Sequence, residues 1–134
     1  MQLAADAVWN GYSVAERDRR WKTVRENAGR AGFDCIFVPQ TVDPDNLYLS
    51  SDSRRGVRSD CRYLTQMDNA AVVLPTDGRG PIVINDRGAG NAWITDARPA
   101  NRGMRGSWAN AMAEALIELG MERARIGVSG LKAG

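Results

Sequence analysis

Apolar residues between positions 13 and 32 recur at steps of seven, three, four and three, the spacing of one face of an amphipathic helix. Ser13 followed by Glu16 has the form of a capping box at the start, and Gly32 suits the position just after the end. The predicted apolar face consists of Val14, Trp21, Val24, Ala28 and Ala31. A stripe of this kind predicts a helix that packs on a sheet.

Short apolar runs bounded by turn residues predict the strands. The runs are residues 35–38, 63–65, 70–74, 81–85 and 126–128, with a further short strand near 96–98. The segment "PTDGRG" carries Pro, Asp and Gly in turn-favouring places, so residues 70–85 are predicted to form a β-hairpin. Asp43 before Pro44 predicts the start of a short helix.

The segment "SWANAMAEALIELG" predicts a second amphipathic helix, which begins at Ser107 as N-cap and ends at Gly120. Its predicted buried face consists of Trp108, Met112, Ala115, Leu116 and Leu119. Apolar strands that alternate with such helices predict an α/β layer fold, with a mixed sheet and helices packed on it.

Composition fits one soluble globular domain, because the 134 residues are 43% hydrophobic and 25% charged. A net charge of +2 gives no reason to expect nucleic acid or an anionic membrane as a partner. No run approaches the roughly 18 apolar residues of a membrane span, and the start of the chain lacks the basic region of a signal peptide. We therefore expect the cytoplasm.

Histidine is absent from the sequence, which excludes Ser-His-Asp and Cys-His nucleophile systems. Cys35 lies in the apolar run "CIFV" and is predicted to be a buried free thiol; composition does not suggest a disulfide with Cys61. The Gly-containing loops lack the spacing of a phosphate-binding motif. We expect neither catalytic residues nor metal ligands in this chain.

Three blocks of sequence carry a resemblance to a known family. They are "ERDRRWKTVRENAGRAGFDCIFV", "SDCRYLT" followed by "AAVVLPTDG", and "AMAEALIELGMERARIGVSGL". In this order and spacing, over residues 13–131, they resemble the N-terminal domain of the creatinase, prolidase and Xaa-Pro aminopeptidase family. One departure is that Gln66 and Met67 follow "YLT", where the family often has "YLTGF". An alternative register places "DPDNLYLSS" on the same motif.

The resemblance implies an RNase-H-like mixed sheet with packed helices over residues 13–134, preceded by an extension at 1–12. It implies that catalysis belongs to a C-terminal domain outside this chain, where Asp, His and Glu residues hold two divalent metal ions (Mn, Co or Zn). The expected partners are that catalytic domain, further copies of the protein as a dimer or larger oligomer, and a peptide or small amide substrate. The chain ends just after a strand, so we expect it to be part of a larger protein.

Two functions are compatible with the resemblance. One is a non-catalytic domain of a metallopeptidase (an Xaa-Pro aminopeptidase or dipeptidase) or of a creatinase-like hydrolase, which serves oligomerisation and shapes the substrate pocket. The other is a protein-interaction module of a relative that has lost its catalytic centre. The metal-ligand set of the C-terminal domain would distinguish them.

The candidate substrate-binding residues are Arg58, Asp60, Arg62 and Tyr63. The resemblance implies that a loop near these residues reaches the active site of a partner subunit. Arginine binds carboxylates through two parallel hydrogen bonds, which suits this role. Asp60 and Arg62 are predicted to share one face of a strand, with Tyr63 pointing inward beside Cys61. The alternative is a solvated strand edge with weak local ion pairs.

A second basic patch and a set of apolar residues in irregular segments also have predicted roles. Arg98, Arg102 and Arg105 form a second basic patch, but no aromatic residues alternate with them as a nucleic-acid stacking surface requires. Met67, Trp93 and Met104 lie in irregular segments that a monomer would have difficulty covering, so they predict self-association. Trp93 and Trp108 are predicted to be core or interface residues.

Overall fold

The computed structural model describes residues 12–39, 60–67, 69–100 and 107–128, and three helices and five strands lie in this part of the chain. In chain order the elements are α1 (Val14–Arg30), β1 (Cys35–Val38), α2 (Asp60–Thr65), β2 (Ala71–Pro75), β3 (Ile82–Asn85), β4 (Ala97–Pro99), α3 (Ser107–Glu118) and β5 (Ile126–Val128). The helix predicted from Asp43 and the arginines at 58, 102 and 105 lie outside the described residues.

The strands form one five-stranded mixed sheet in the order β4-β3-β2-β1-β5. β2 pairs antiparallel with both β1 and β3, which confirms the predicted hairpin. β5 pairs parallel with β1, and β4 pairs parallel with β3. The α/β fold with a mixed sheet, predicted from the alternation of apolar strands and helices, is therefore confirmed.

Each strand sends alternate side chains to opposite faces of the sheet, as the pleat requires. On β2, Val72 and Leu74 pack with α1 and α2, whereas Ala71 and Val73 pack with α3. The sheet is thus the middle of three layers, and β2 is buried along its whole length. This burial on both faces explains why the strand is apolar at every position.

The helix α1 begins as predicted, because the Ser13 hydroxyl accepts a hydrogen bond from the Glu16 backbone N–H at 3.1 Å. Gly32 follows the helix with a φ of 88°, a conformation that glycine adopts without a steric penalty. The predicted apolar stripe is only partly right, because Val14 (46% exposed) and Ala31 are exposed while Arg20 is buried. Val14 lies in the first turn, and Arg20 is buried where α1 contacts residues 60–65.

Residues 60–65 form a helix, so the predicted strand at 63–65 is wrong. The buried side chains are Cys61, Leu64 and Thr65, at the three- and four-residue steps of a helical face. The Thr65 hydroxyl donates to the Cys61 carbonyl at 2.7 Å, which closes the single turn. Gln66 then leaves the helix with a φ of 61°, in the left-handed region that non-glycine residues rarely adopt.

Replacing Gln66 with glycine is expected to stabilise the protein by about 0.5–1 kcal/mol. The left-handed conformation costs a non-glycine residue about 1–2 kcal/mol, and glycine removes this cost. Glycine also has more conformational freedom in the unfolded chain, which offsets part of the stabilisation. Urea denaturation measures the difference. Gln66→Ala is the matched control: it removes the same side chain and keeps the Cβ, so it should not stabilise. Equal stability of the two variants would contradict the conformational explanation.

Both cysteines are free, as predicted for Cys35. Cys35 packs on the side of the sheet that faces α3, and Cys61 packs on the side that faces α1, so the sheet separates the two sulfur atoms. Burial raises the pKa of the Cys35 thiol from 9.0 to about 11, which keeps it protonated and unreactive at neutral pH.

The argument for self-association from Trp93 and Met67 is wrong, because the fold covers both side chains. Trp93 is 1% exposed in the core, and Met67 is partly buried and packs against the same core. Trp93 is thus a core residue, one of the two roles predicted for it. Trp108 packs among the core residues beneath α3, beside the ring of Phe37 at 6.0 Å between centroids. Met104 lies outside the described residues.

Candidate functional site

Arg20 is the centre of the junction between α1 and α2, and it is only 8% exposed. Its Nε donates to the Glu16 carboxylate at 2.8 Å, and its Nη1 donates to the Tyr63 carbonyl at 2.9 Å. The guanidinium carbon lies 4.3 Å from the ring centroid of Tyr12, 4.6 Å from that of Tyr63 and 5.4 Å from that of Trp93. The buried charge is therefore compensated by one carboxylate and three aromatic faces.

Glu16 serves both Arg19 and Arg20 on the first turns of α1. Arg19 donates two hydrogen bonds of 2.7 Å to the two carboxylate oxygens, and Arg20 donates a third. These bonds, with that of Arg19 the strongest influence, lower the pKa of Glu16 to about 2. One half of the predicted capping box is thus present, because the Glu16 backbone N–H donates to the Ser13 hydroxyl. The Glu16 carboxylate accepts hydrogen bonds from Arg19 and Arg20.

Side chains from other elements satisfy the last three carbonyl groups of α2. Arg20 donates to the carbonyl of Tyr63, the Trp21 indole N–H to that of Leu64 at 2.8 Å, and the Asn91 amide to that of Thr65 at 2.8 Å. The end of a helix leaves such carbonyl groups without partners inside the helix. Three donors from distant parts of the chain therefore fix the position and direction of this short helix.

Asn91 also holds the segment that carries Trp93. Its side-chain oxygen accepts hydrogen bonds from the backbone N–H groups of Trp93 and Ile94, both at 2.9 Å. Its own backbone N–H donates to the Ile94 carbonyl at 3.2 Å. One amide side chain thus connects the end of α2 to the loop that places Trp93 beneath Arg20.

The structure places three of the four predicted site residues on α2. Asp60 and Arg62 are exposed, and Tyr63 is 40% exposed with its ring on the Arg20 guanidinium. The prediction that Tyr63 points inward beside Cys61 is wrong, because helical geometry buries Cys61 and turns Tyr63 outward. Arg58 lies outside the described residues.

A cleft of about 360 Å³ opens beside this junction, between α1, the β2–β3 turn and the loop before β4. Its lining residues are Arg17, Trp21, Gly80, Pro81, Trp93, Ile94, Thr95 and Asp96. The Arg17 Nη1 donates to the Trp93 carbonyl at 3.3 Å, and its guanidinium carbon lies 4.7 Å from the Trp21 ring. Sequence reasoning did not predict this cleft; the only local signal is the interleaving of arginines with Trp21 on α1.

In the part of the chain that the structure describes, no three His, Cys, Asp or Glu side chains come together in a group that could hold a metal ion. Across the same residues, no helix has the length and apolar character that a membrane crossing needs.

The fold and this junction define a three-layer α/β/α domain whose short surface helix is held by arginine, tryptophan and asparagine side chains. Comparison of the chain with family models, with curated proteins and with solved structures found no match.

Proposed function

We propose that this chain is the non-catalytic N-terminal domain of a metal-dependent hydrolase of the Xaa-Pro peptidase or creatinase type. Its roles would be assembly of the oligomer and shaping of the substrate pocket. The two divalent ions (Mn, Co or Zn) would be held by a further domain, where they would activate water for attack on an amide or C–N bond.

The observation that carries the proposal is the backbone of Gln66. The family sequence often has glycine after "YLT", and in this chain Gln66 occupies that position with a φ of 61°. Gln66 therefore adopts a backbone conformation that glycine adopts freely, at the position where sequences of that family often have glycine. This agreement favours the register that places "SDCRYLT" on the family motif over the register at "DPDNLYLSS".

The arrangement of the other two blocks also supports the proposal. The first folds as α1 followed by β1, and the third as α3 followed by β5. β1 and β5 are parallel neighbours, and their helices lie on opposite faces of the sheet. The strands β1, β2 and β3 form an antiparallel meander, and β5 extends it as a parallel strand beside β1. This arrangement is compatible with the RNase-H-like sheet that the resemblance implies.

The exposed face of α2 is the part proposed to meet substrate. Arg62 carries a fixed positive charge that suits a substrate carboxylate, and Asp60 and Tyr63 lie on the same short helix. Because Arg20, Trp21 and Asn91 hold the carbonyl end of this helix, its side chains project from a rigid base, as a binding site requires.

One observation favours the alternative of a protein-interaction module. Tyr12, 55% exposed, and Tyr63 flank Arg20 at the surface, and tyrosine and arginine are enriched where proteins bind one another. A protein partner would bury both rings at once, whereas a small substrate would reach only Arg62 and its neighbours.

An assay of hydrolysis tests the proposal. We expect this chain, incubated with Mn²⁺ and an Xaa-Pro dipeptide, to give no more product than metal alone. A longer protein that carries this domain together with the proposed catalytic domain should hydrolyse an Xaa-Pro peptide or a creatine-like amide. In that longer protein, Arg62→Ala should lower kcat/KM by roughly ten- to a hundredfold, since it removes one charge-assisted contact.

Arg30→Ala is the matched control, because Arg30 is exposed in the last turn of α1 and its side chain donates to the Asn27 side chain in that turn. Metal content and oligomeric state should be equal in the three proteins. Activity of the isolated chain, or a longer protein without hydrolase activity, would refute the proposal. Arg62→Ala with wild-type kinetics would refute the assigned role of α2.

A further inference from the structure

The helix α2 is attached to the rest of the described fold mainly through α1. Of the helices and strands, α1 is the one that α2 packs against most extensively, and the buried side chains of Cys61 and Leu64 belong to the core between α1 and the sheet. The ladder of hydrogen bonds that joins the five strands does not include α2. Opening of α2 would therefore break side-chain contacts and leave the pairing of the strands intact.

The helix α1 has attachments to the sheet that do not involve α2. The Arg25 Nε donates to the Pro75 carbonyl at 3.0 Å, and its Nη2 donates to the Arg79 carbonyl at 2.6 Å. The Arg17 Nη1 donates to the Trp93 carbonyl at 3.3 Å. These hydrogen bonds join α1 to the end of β2, to the β2–β3 turn and to the loop before β4, so α1 stays docked when α2 opens.

Few interactions close α2. A helix of six residues has little stability of its own, so the closed form relies on the buried side chains of Cys61, Leu64 and Thr65 and on the three donors to its last carbonyl groups. Water would hydrate the guanidinium of Arg20 after opening and replace part of the lost bonding. Opening would also release the left-handed conformation of Gln66.

We propose that α2 opens as a separate unit while α1, α3 and the sheet remain folded. Segments with few buried contacts open at a lower free energy than the core of the same protein. The open form no longer positions Arg62 and Tyr63, so a ligand that binds the exposed face of α2 would shift the population toward the closed form. This opening does not depend on the proposed hydrolase function.

The two free cysteines distinguish this local opening from global unfolding. Cys61 lies on α2, where it is 5% exposed and its Sγ donates to the Met67 carbonyl at 3.4 Å. Cys35 lies on β1 with no exposed surface, on the side of the sheet that faces α3. Opening of α2 exposes the Cys61 thiol, whereas the Cys35 thiol becomes accessible only when the sheet itself comes apart.

Alkylation of the folded chain with iodoacetamide, with mass spectrometry to assign each cysteine, tests the proposal. Initial rates are compared at several urea concentrations below the unfolding transition, with reagent dilute enough that each rate follows the open population. We expect Cys61 to react at least about tenfold faster than Cys35. The logarithm of its rate should rise with urea, but less steeply than that of Cys35, because opening of α2 exposes less surface than global unfolding.

Two variants and one control separate the possible routes of labelling. Ile84→Val weakens the core on the α3 side, so it should raise the Cys35 rate about two- to tenfold and leave the Cys61 rate unchanged. Thr65→Val removes the hydroxyl that bonds the Cys61 carbonyl and the Met67 N–H, so it should raise the Cys61 rate about tenfold. Ile117→Ala, at an exposed position on α3, should change neither rate.

Three results would overturn the proposal. Equal urea dependence of the two cysteines, or an equal rise of both rates in Ile84→Val, would show that Cys61 reacts only through global unfolding. A Cys61 rate that responds neither to urea nor to Thr65→Val would show that reagent reaches the thiol in the closed form.

Discussion

Trp93→Ala is expected to destabilise the protein by about 3–5 kcal/mol, the largest effect that a single truncation of the described core should produce. Trp93 is 1% exposed and belongs to the cluster between the sheet and α1. Its ring also faces the Arg20 guanidinium at 5.4 Å, so the cavity would remove one aromatic face from a buried charge. Because small domains are stable by only about 5–15 kcal/mol, the variant should be close to unfolding at 37 °C.

Chemical denaturation with circular dichroism measures this loss. Ile117→Ala is the matched control, because Ile117 is an apolar residue that is 60% exposed on α3. The control should change the free energy of unfolding by less than about 0.5 kcal/mol. If Trp93→Ala cost no more than the control, the ring would not belong to the core as described.

Arg20→Met is expected to cost about 2–3 kcal/mol. The variant loses two charge-assisted hydrogen bonds and leaves the Tyr63 carbonyl without its side-chain donor. It also loses the contacts of the guanidinium with three rings. Methionine retains much of the apolar stem of arginine. The change in the free energy of unfolding therefore measures the loss of the guanidinium interactions more than a loss of packed volume.

Arg19→Met provides a comparison within the same ion-pair group. Arg19 binds the same Glu16 carboxylate through two hydrogen bonds, but its side chain is 60% exposed. Exposed pairs contribute little, so Arg19→Met should leave the thermal midpoint nearly unchanged. Two variants with equal midpoints would show that burial of Arg20 does not matter to stability.

Elements with a repeated local signal were predicted from the sequence with small errors at their ends. The helix α1 has a cap and several turns of periodic apolar residues, and α3 also has several turns of such residues. The strands β1 and β5 are short apolar runs that the structure places at the predicted residues. In each case the residues that decide the conformation lie within the element itself.

The helix α2 could not be predicted in this way, because six residues supply little more than one helical turn. Its sequence, with Tyr63 and Thr65, has the composition of a strand. The deciding interactions come from Arg20 and Trp21, which are 43 residues away along the chain. Local propensity gives no access to such contacts.

The candidate site was predicted only in its exposed part for a related reason. Asp60 and Arg62 were identified as charged residues near a buried segment, and the structure shows them exposed. Arg20 was missed because apolar periodicity cannot identify a charged residue on a buried face. The cleft was missed because α1, the turn at Gly80 and the loop at Trp93 meet only in the folded sheet.

The attachment of α2 through side chains of other elements makes its stability depend on the rest of the fold. A helix of six residues is unstable alone, because nucleation costs more than so few hydrogen bonds return. Its donors are in place only while α1 and the loop at Asn91 are docked on the sheet. The order of the surface that carries Arg62 therefore depends on the completed core beneath it.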